Sequence, residues 1–279
     1  MKNLHDDFLR AGRRRITGAP EGLDAFALAH IARNRPHGAL HIATSDLHMQ
    51  AMAQALGFFA PDLEVVTFPA WDCMPYDRIS PSSVLLSQRM AALARLAATP
   101  SDNRVVLTTV NAALQRLPTR QVVTGASFAA KPGQRVDIQA LTAYLTRDGY
   151  NRVGTVREPG EYALRGGIVD VFPPGSEEPL RLDLFGDTLE SIRTFDPLSQ
   201  RTTGNSPDLS LKPVSEVLLD PDSISRFRAG YTARFGVPGD DDPLYTAVSA
   251  GRRHPGVEHW LALFHDRLET LFDYLPGAV

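Results

Sequence analysis

The stretch LRLDLF, residues 180–185, sets Arg181, Asp183 and Phe185 at every second position. Along an extended chain successive side chains alternate faces, so these three share one face while Leu180, Leu182 and Leu184 share the other. The leucine side reads as core. The opposite side sets an aromatic ring among charges, the composition of a docking hot spot in which aromatic and arginine anchors sit inside a polar rim. That chemistry is recognition, by charge-assisted hydrogen bonds and a ring in a pocket, and not bond making. A plainer arrangement is also open, with Phe185 packed on a neighbouring loop and Arg181 paired with Asp183 or Glu190.

The remaining residues able to do chemistry do not assemble by spacing. Eight histidines are scattered along the chain and none belongs to a His-Glu-x-x-His pattern. His37 and His41 flank Gly38 and a predicted strand, so no metal site is expected there. Cys73 is the single cysteine, which excludes an internal disulfide and a cysteine-based metal site. Asp240, Asp241 and Asp242 follow Pro238-Gly239 in a predicted loop and have no evident partner for acid-base work. No catalytic residue and no metal ligand are expected.

Composition limits the classes further. With 279 residues, 43% of them hydrophobic and 22% charged, the chain is long enough for two or three globular units. A net charge of −3 supplies no global attraction to nucleic acid. No apolar run approaches the ~20 residues that cross a bilayer, and no signal-peptide pattern opens the chain. A cytoplasmic protein without membrane contact is expected.

The elements that must hold these residues fall into three stretches. Up to about residue 118, short apolar strands (ALHIAT, LEVVTFPA, RVVLTTV) alternate with helical segments, the signature of a parallel α/β sheet. Ser45 or Asp46 can cap one helix, and Leu86, Met90, Leu93 and Ala94 recur at helical spacing along another. From 119 to 203 the pattern becomes α+β. QVVTGASFAA reads as a strand, and VDIQALTAYLTRDGY as a helix capped by Asp137 and ended at Gly149. Strands GGIVDVF, LRLDLF and TLESIRTFD follow, with a turn at Gly186-Asp187. From 204 to 279 the reading is a strand and then helices, a return to the α/β domain.

The segment REPGEYALRGGIVDVFPPGSEEPLRLDLFGDTLESIRTFDPLSQRT resembles the module shared by UvrB and the transcription-repair coupling factors. FPAWDCMPYDRISPSSVLLSQRMAAL resembles the coupling-factor form of the first domain, and GVEHWLALFHDRLETLFDYLP a segment of both families. The fold this implies is a degenerate helicase-like, P-loop NTPase-type parallel-sheet domain with an inserted α+β UvrA-binding domain. Trp71-Asp72 and Tyr76-Asp77, which alone suggest a sugar or nucleotide pocket, become structural. The partner implied is UvrA, met through Arg165, Arg181 and Phe185, with Glu161 and Asp183 orienting the arginines.

Two departures from UvrB are chemical. Where UvrB carries a phosphate-binding Gly-x-x-x-x-Gly-Lys-Thr loop, this chain reads ITGAPEGLDAF, with Thr17, Gly18 and Gly22 but no Lys-Thr, and with Glu21 bringing negative charge. The DNA-gripping hairpin of UvrB has no room between Tyr76 and the next helix. The chain itself is therefore expected to be a non-catalytic adaptor without cofactor. ATP and magnesium belong to the motor of the full-length family, a DNA translocase, and RNA polymerase and DNA are met through domains beyond this chain. The competing class is a UvrB-like nucleotide- or DNA-binding repair subunit. The run Arg13 to Arg15 suits phosphate, RNA polymerase or a solvated edge.

Overall fold

The computed structural model describes residues 12, 13, 15, 17, 18, 20, 22–75, 77–98, 103–239 and 241–278. By contacts they divide into two compact units. One holds the described residues through Ala70 with Arg95–Leu117 and the segment from Glu269; the other holds Trp71–Ala94 and Pro118–Leu268.

In the first unit β1 (Ala39–Ala43), β2 (Glu64–Phe68) and β3 (Arg104–Thr109) form a parallel sheet in the order β1-β3-β2. β3 lies in the middle and all six of its residues are buried, which is why RVVLTT is nearly continuous in apolar and β-branched residues. Helices α1 (Leu23–Asn34) and α2 (Asp46–Phe59) pack on the sheet through Ala25, Leu28, Ala29, Met49, Met52 and Leu56. Of the two cap candidates it is Ser45 that accepts from the His48 amide at the start of α2.

Helix α3 (Ser83–Ala98) has Leu86, Met90, Leu93 and Ala94 buried, as their spacing predicts. α4 (Val110–Leu114) follows β3. The second unit contains α5 (Arg120–Gly125), β4 (Phe128–Ala130) and α6 (Ile138–Arg147). The strand expected over QVVTGASFAA forms only at its end, Phe128–Ala130, while its first half is helix: Thr119 accepts the Val122 amide as a cap, and only Val123 of that turn is buried, so β-branching alone does not decide its conformation. Asp137 caps α6, accepting from the amides of Gln139 and Ala140.

The strands that follow are β5 (Asn151–Arg152), β6 (Glu161–Arg165), β7 (Ile168–Val171), β8 (Leu180–Phe185), β9 (Thr188–Phe195) and β10 (Thr202–Asn205). They form one sheet in the order β10-β9-β8-β7-β6-β5, antiparallel except for the β5–β6 pair. Leu180, Leu182 and Leu184 are buried with Val169, Val171 and Ile192 against Leu141 and Leu145 of α6, so the alternation in LRLDLF marks a core face. Each such leucine contributes about 1.5–3 kcal/mol by burial. β11 (Leu209–Leu211) pairs with β4.

α7 (Pro221–Phe235) and α8 (Pro243–Ser249) then pack around Phe227 and Phe264. The helix expected after Gly256 is only a 3-10 turn, Val257–Leu263, followed by turns. There Arg226 Nε donates to Phe264 O at 2.9 Å and the carboxylate of Asp273 takes the Thr270 amide at 2.7 Å, so side chains supply bonds that a continued helix would make internally. Within the second unit Arg89 and Glu216 form an ion pair at 2.5 Å with both side chains fully buried. Among the described residues no helix is long and apolar enough to cross a membrane.

Candidate functional site

The face of the β6–β9 sheet opposite the leucines is where the predicted residues meet. Register places Asp170 of β7 opposite Ala163 of β6 and Arg181 of β8, Arg181 opposite Arg193 of β9, and Asp183 opposite Ser191. Paired residues share a face. One end of this face is dry: Val156, Ala163, Phe172 and Phe195 form a small buried cluster. Its middle is charged, and Phe185 stands at the far end, 79% exposed.

The charged middle is built around Asp170, whose side chain is 1% exposed. Its carboxylate accepts from Arg181 Nε at 2.7 Å and Nη2 at 2.9 Å, and from Arg165 Nη2 at 3.0 Å. Arg181 also lies over the Phe195 ring at 4.6 Å and donates from Nη1 to Gln200 O at 3.4 Å. The hydrogen bonding that Arg181 donates to Asp170 is the largest influence raising the Arg181 pKa above its ordinary value, so its charge is permanent. Arg181 keeps 17% of its side chain exposed, whereas Arg165 keeps 53%. Asp183 accepts from Arg193 Nε and Nη2, both at 2.9 Å, and from Ser191 at 2.7 Å.

Arg165, Arg181, Asp183 and Phe185 therefore come together on one face. The expected pairings differ. Arg181 pairs with Asp170, not with Asp183 or Glu190, and Asp183 orients Arg193. Glu161 orients no arginine side chain: its Oε2 accepts the backbone amides of Arg157 at 2.8 Å and Glu158 at 3.0 Å, bracing the loop before β6. Asp170 and Arg193 are not singled out by the alternation in LRLDLF. A lone acid inside the apolar run GGIVDVF was the available signal, because a buried carboxylate requires a cation.

The Arg-Gly-Gly turn has a local cause. Gly166 has φ +61°, and a Cβ on Gly167 would stand 2.5 Å from Leu184 O, which accepts no side chain at that distance. Gly167→Ala should push β7 from β8 and lower stability by about 1–2 kcal/mol. Urea unfolding checks this, and an unchanged midpoint would mean that the hairpin yields freely.

The segment expected to be a degenerate nucleotide loop, from Thr17 to Gly22, lies in the other unit. Gly18 has φ +68°, and Gly22, at φ +85°, precedes α1 without a side-chain cap. Thr17 is exposed, while Ile16, Ala19 and Glu21 lie outside the described residues, as do Arg14, Tyr76 and Asp240. A cavity of about 510 Å³ is lined by Pro20, Gly22, Asp24, His41, Thr44 and His48 among others, and the described lining residues include no lysine or arginine. Asp24 Oδ1 accepts the Ala25 amide at 2.8 Å, so an acid occupies the first turn, where the helix field would otherwise favour a phosphate.

Elsewhere, Cys73 Sγ is 3.8 Å from His259 Nε2, but burial, with Asp72, Asp77 and Glu258, pushes the thiol pKa up, which disfavours the nucleophilic thiolate. Asp72 accepts the Ser82 amide at 2.9 Å, a structural role. Asp242 caps α8 and accepts from Tyr231, pushing that phenol up to about 12. Among the described residues no group of three or more His, Cys, Asp or Glu side chains is placed to hold a metal ion.

Residues 128–216, which include this face, match the UvrB interaction domain family. The chain is 34% identical to the transcription-repair-coupling factor of Haemophilus influenzae over 91% of its own length and 22% of that protein's. It is 35% identical to that of Escherichia coli over 96% of the chain and 23% of the relative. With the Bacillus subtilis protein it shares 24% identity over 99% of the chain and 24% of the relative. The chain thus spans about a quarter of the length of these relatives.

Proposed function

We propose, since this chain is a homologue of the transcription-repair-coupling factors and carries a UvrB interaction domain at residues 128–216, that its β6–β9 face is the surface on which UvrA docks. The observation that carries the reading is Phe185, 79% exposed at the end of a strand whose same face holds Arg181, pinned by Asp170, and Asp183, paired with Arg193. An exposed ring on the same face as preordered guanidiniums binds with little further loss of side-chain freedom. Arg165, half exposed, offers its remaining donors to an acidic or carbonyl acceptor on UvrA. Arg181 touches less of the partner and serves chiefly to hold the face in shape.

In this reading the chain is a cytoplasmic, non-catalytic adaptor in nucleotide excision repair, and its first unit is a degenerate helicase-like domain. RNA polymerase and DNA are partners of the longer family proteins. A nucleoside triphosphate with magnesium does not suit the Gly18 to Gly22 region: no lysine follows Gly22, and Asp24 already takes the first-turn amide. No step runs through ATP. Measurable ATP turnover by this chain would instead favour a UvrB-like nucleotide-binding subunit.

Calorimetric titration with UvrA tests the docking. The parent chain should bind, and Phe185→Ala should weaken binding by about 2 kcal/mol, roughly 30-fold. Arg165→Ala should cost about 1–2 kcal/mol. A folded parent that shows no binding sinks the assignment.

A further inference from the structure

Besides Phe185 and Ile168, the latter 38% exposed and paired with Arg165 and Asp183, the docking face has a further exposed apolar residue that neither the family resemblance nor the strand pattern singles out. Leu198 is 85% exposed in the turn joining β9 to β10. A single exposed leucine means little by itself. Here, however, the turn is braced from every side. Asp196 N donates to Arg201 O at 2.9 Å, Gln200 N to Asp196 O at 2.8 Å, and Ser199 N to Asp196 Oδ1 at 2.6 Å.

Gln200 holds φ +61°, a left-handed conformation that a non-glycine residue adopts at a cost. Its side-chain Nε2 donates to Val156 O at 3.0 Å and Pro197 O at 2.7 Å, and its backbone carbonyl accepts from Arg181 Nη1 at 3.4 Å. Val156 belongs to the dry cluster at the end of the charged face, so these bonds fold the turn onto that face and stiffen it there. The result is a rigid turn presenting one leucine to solvent, joined through Gln200 and Arg181 to the Asp170 cluster.

Phe185 and this turn lie at opposite ends of the eight-residue strand β9, about 25 Å apart at the usual rise per residue. A standard interface covers about 800 Å² on each partner, roughly 30 Å across, so one bound protein reaches both ends. We infer that Leu198 is a second apolar anchor for UvrA, set by the Gln200 brace, with the arginine cluster between it and Phe185. The inference rests on the UvrA-docking reading and adds its footprint.

Calorimetry with UvrA on the full 279-residue chain separates the two. Leu198→Ser should weaken affinity about tenfold, and Gln200→Ala, which removes the two side-chain bonds of the brace but keeps the leucine, about threefold. Leu47→Ser, at a 75% exposed leucine of the other unit, should leave affinity unchanged and serves as the control. Circular dichroism establishes that each variant is folded. If Phe185→Ala weakens binding while Leu198→Ser stays within about twofold of the parent, the second anchor is wrong and the docking reading stands. Equal losses from Leu198→Ser and Leu47→Ser also overturn it, since general surface apolarity would then be responsible. A parent chain that does not bind overturns both.

Discussion

Asp170→Ala is expected to abolish measurable UvrA binding and to lower the unfolding free energy by about 3 kcal/mol. Asp170 is buried and accepts three hydrogen bonds from two arginines. Removing one partner of a buried ion pair costs roughly 3–5 kcal/mol, because the charge left behind loses both water and counter-ion. The lower end applies here, since Arg165 is half exposed and can turn to solvent. Arg181 cannot do so as easily, being stacked over Phe195 and mostly enclosed. Its displacement would disturb the bond to Gln200 and the whole docking face. Urea unfolding should show a lower midpoint at unchanged slope, and titration should be run where the variant is still folded. A variant that unfolds and binds like the parent would show that Asp170 does not organise the face.

The second large effect lies away from the docking face. Glu216→Ala should destabilise the protein by about 3–5 kcal/mol, because it leaves the Arg89 guanidinium buried without its carboxylate. The pair is fully enclosed, and Arg89 also lies 5.7 Å from the Trp71 ring centre. Replacing both ends with apolar residues, Arg89→Met with Glu216→Leu, should recover most of the loss, since desolvation of the two charges offsets their attraction. The double-mutant cycle reads the coupling directly. A loss below about 1 kcal/mol in the single variant would mean that water or the other partners of Arg89 satisfy the guanidinium.

The two effects illustrate which parts of the molecule are legible in sequence. Ion pairs across strands are not: Asp170 and Arg181 are eleven residues apart, and nothing in either neighbourhood prefers the other over Asp183 or Glu190. Local elements are clearer. Asp137 and the spacing of Leu141 and Leu145 place α6 correctly, because cap and stripe both lie within one short segment. The same local logic fails at QVVT, where valines suggest a strand but a threonine cap and the surrounding packing select a helical turn. It fails again after Gly256, where side-chain hydrogen bonds to the backbone replace the continuation of a helix.

By itself the sequence determined that one face of LRLDLF is core and the other carries an exposed ring among charges, because the two-residue period of an extended chain needs no partner to define it. It likewise determined that no lysine follows Gly22. Tertiary structure alone decided which acid holds which arginine, through the β7–β8 and β8–β9 register. It also decided that the β9–β10 turn folds back to present Leu198. Those choices depend on hydrogen bonds between strands, and a one-residue change of register would send every side chain of a strand to the opposite face.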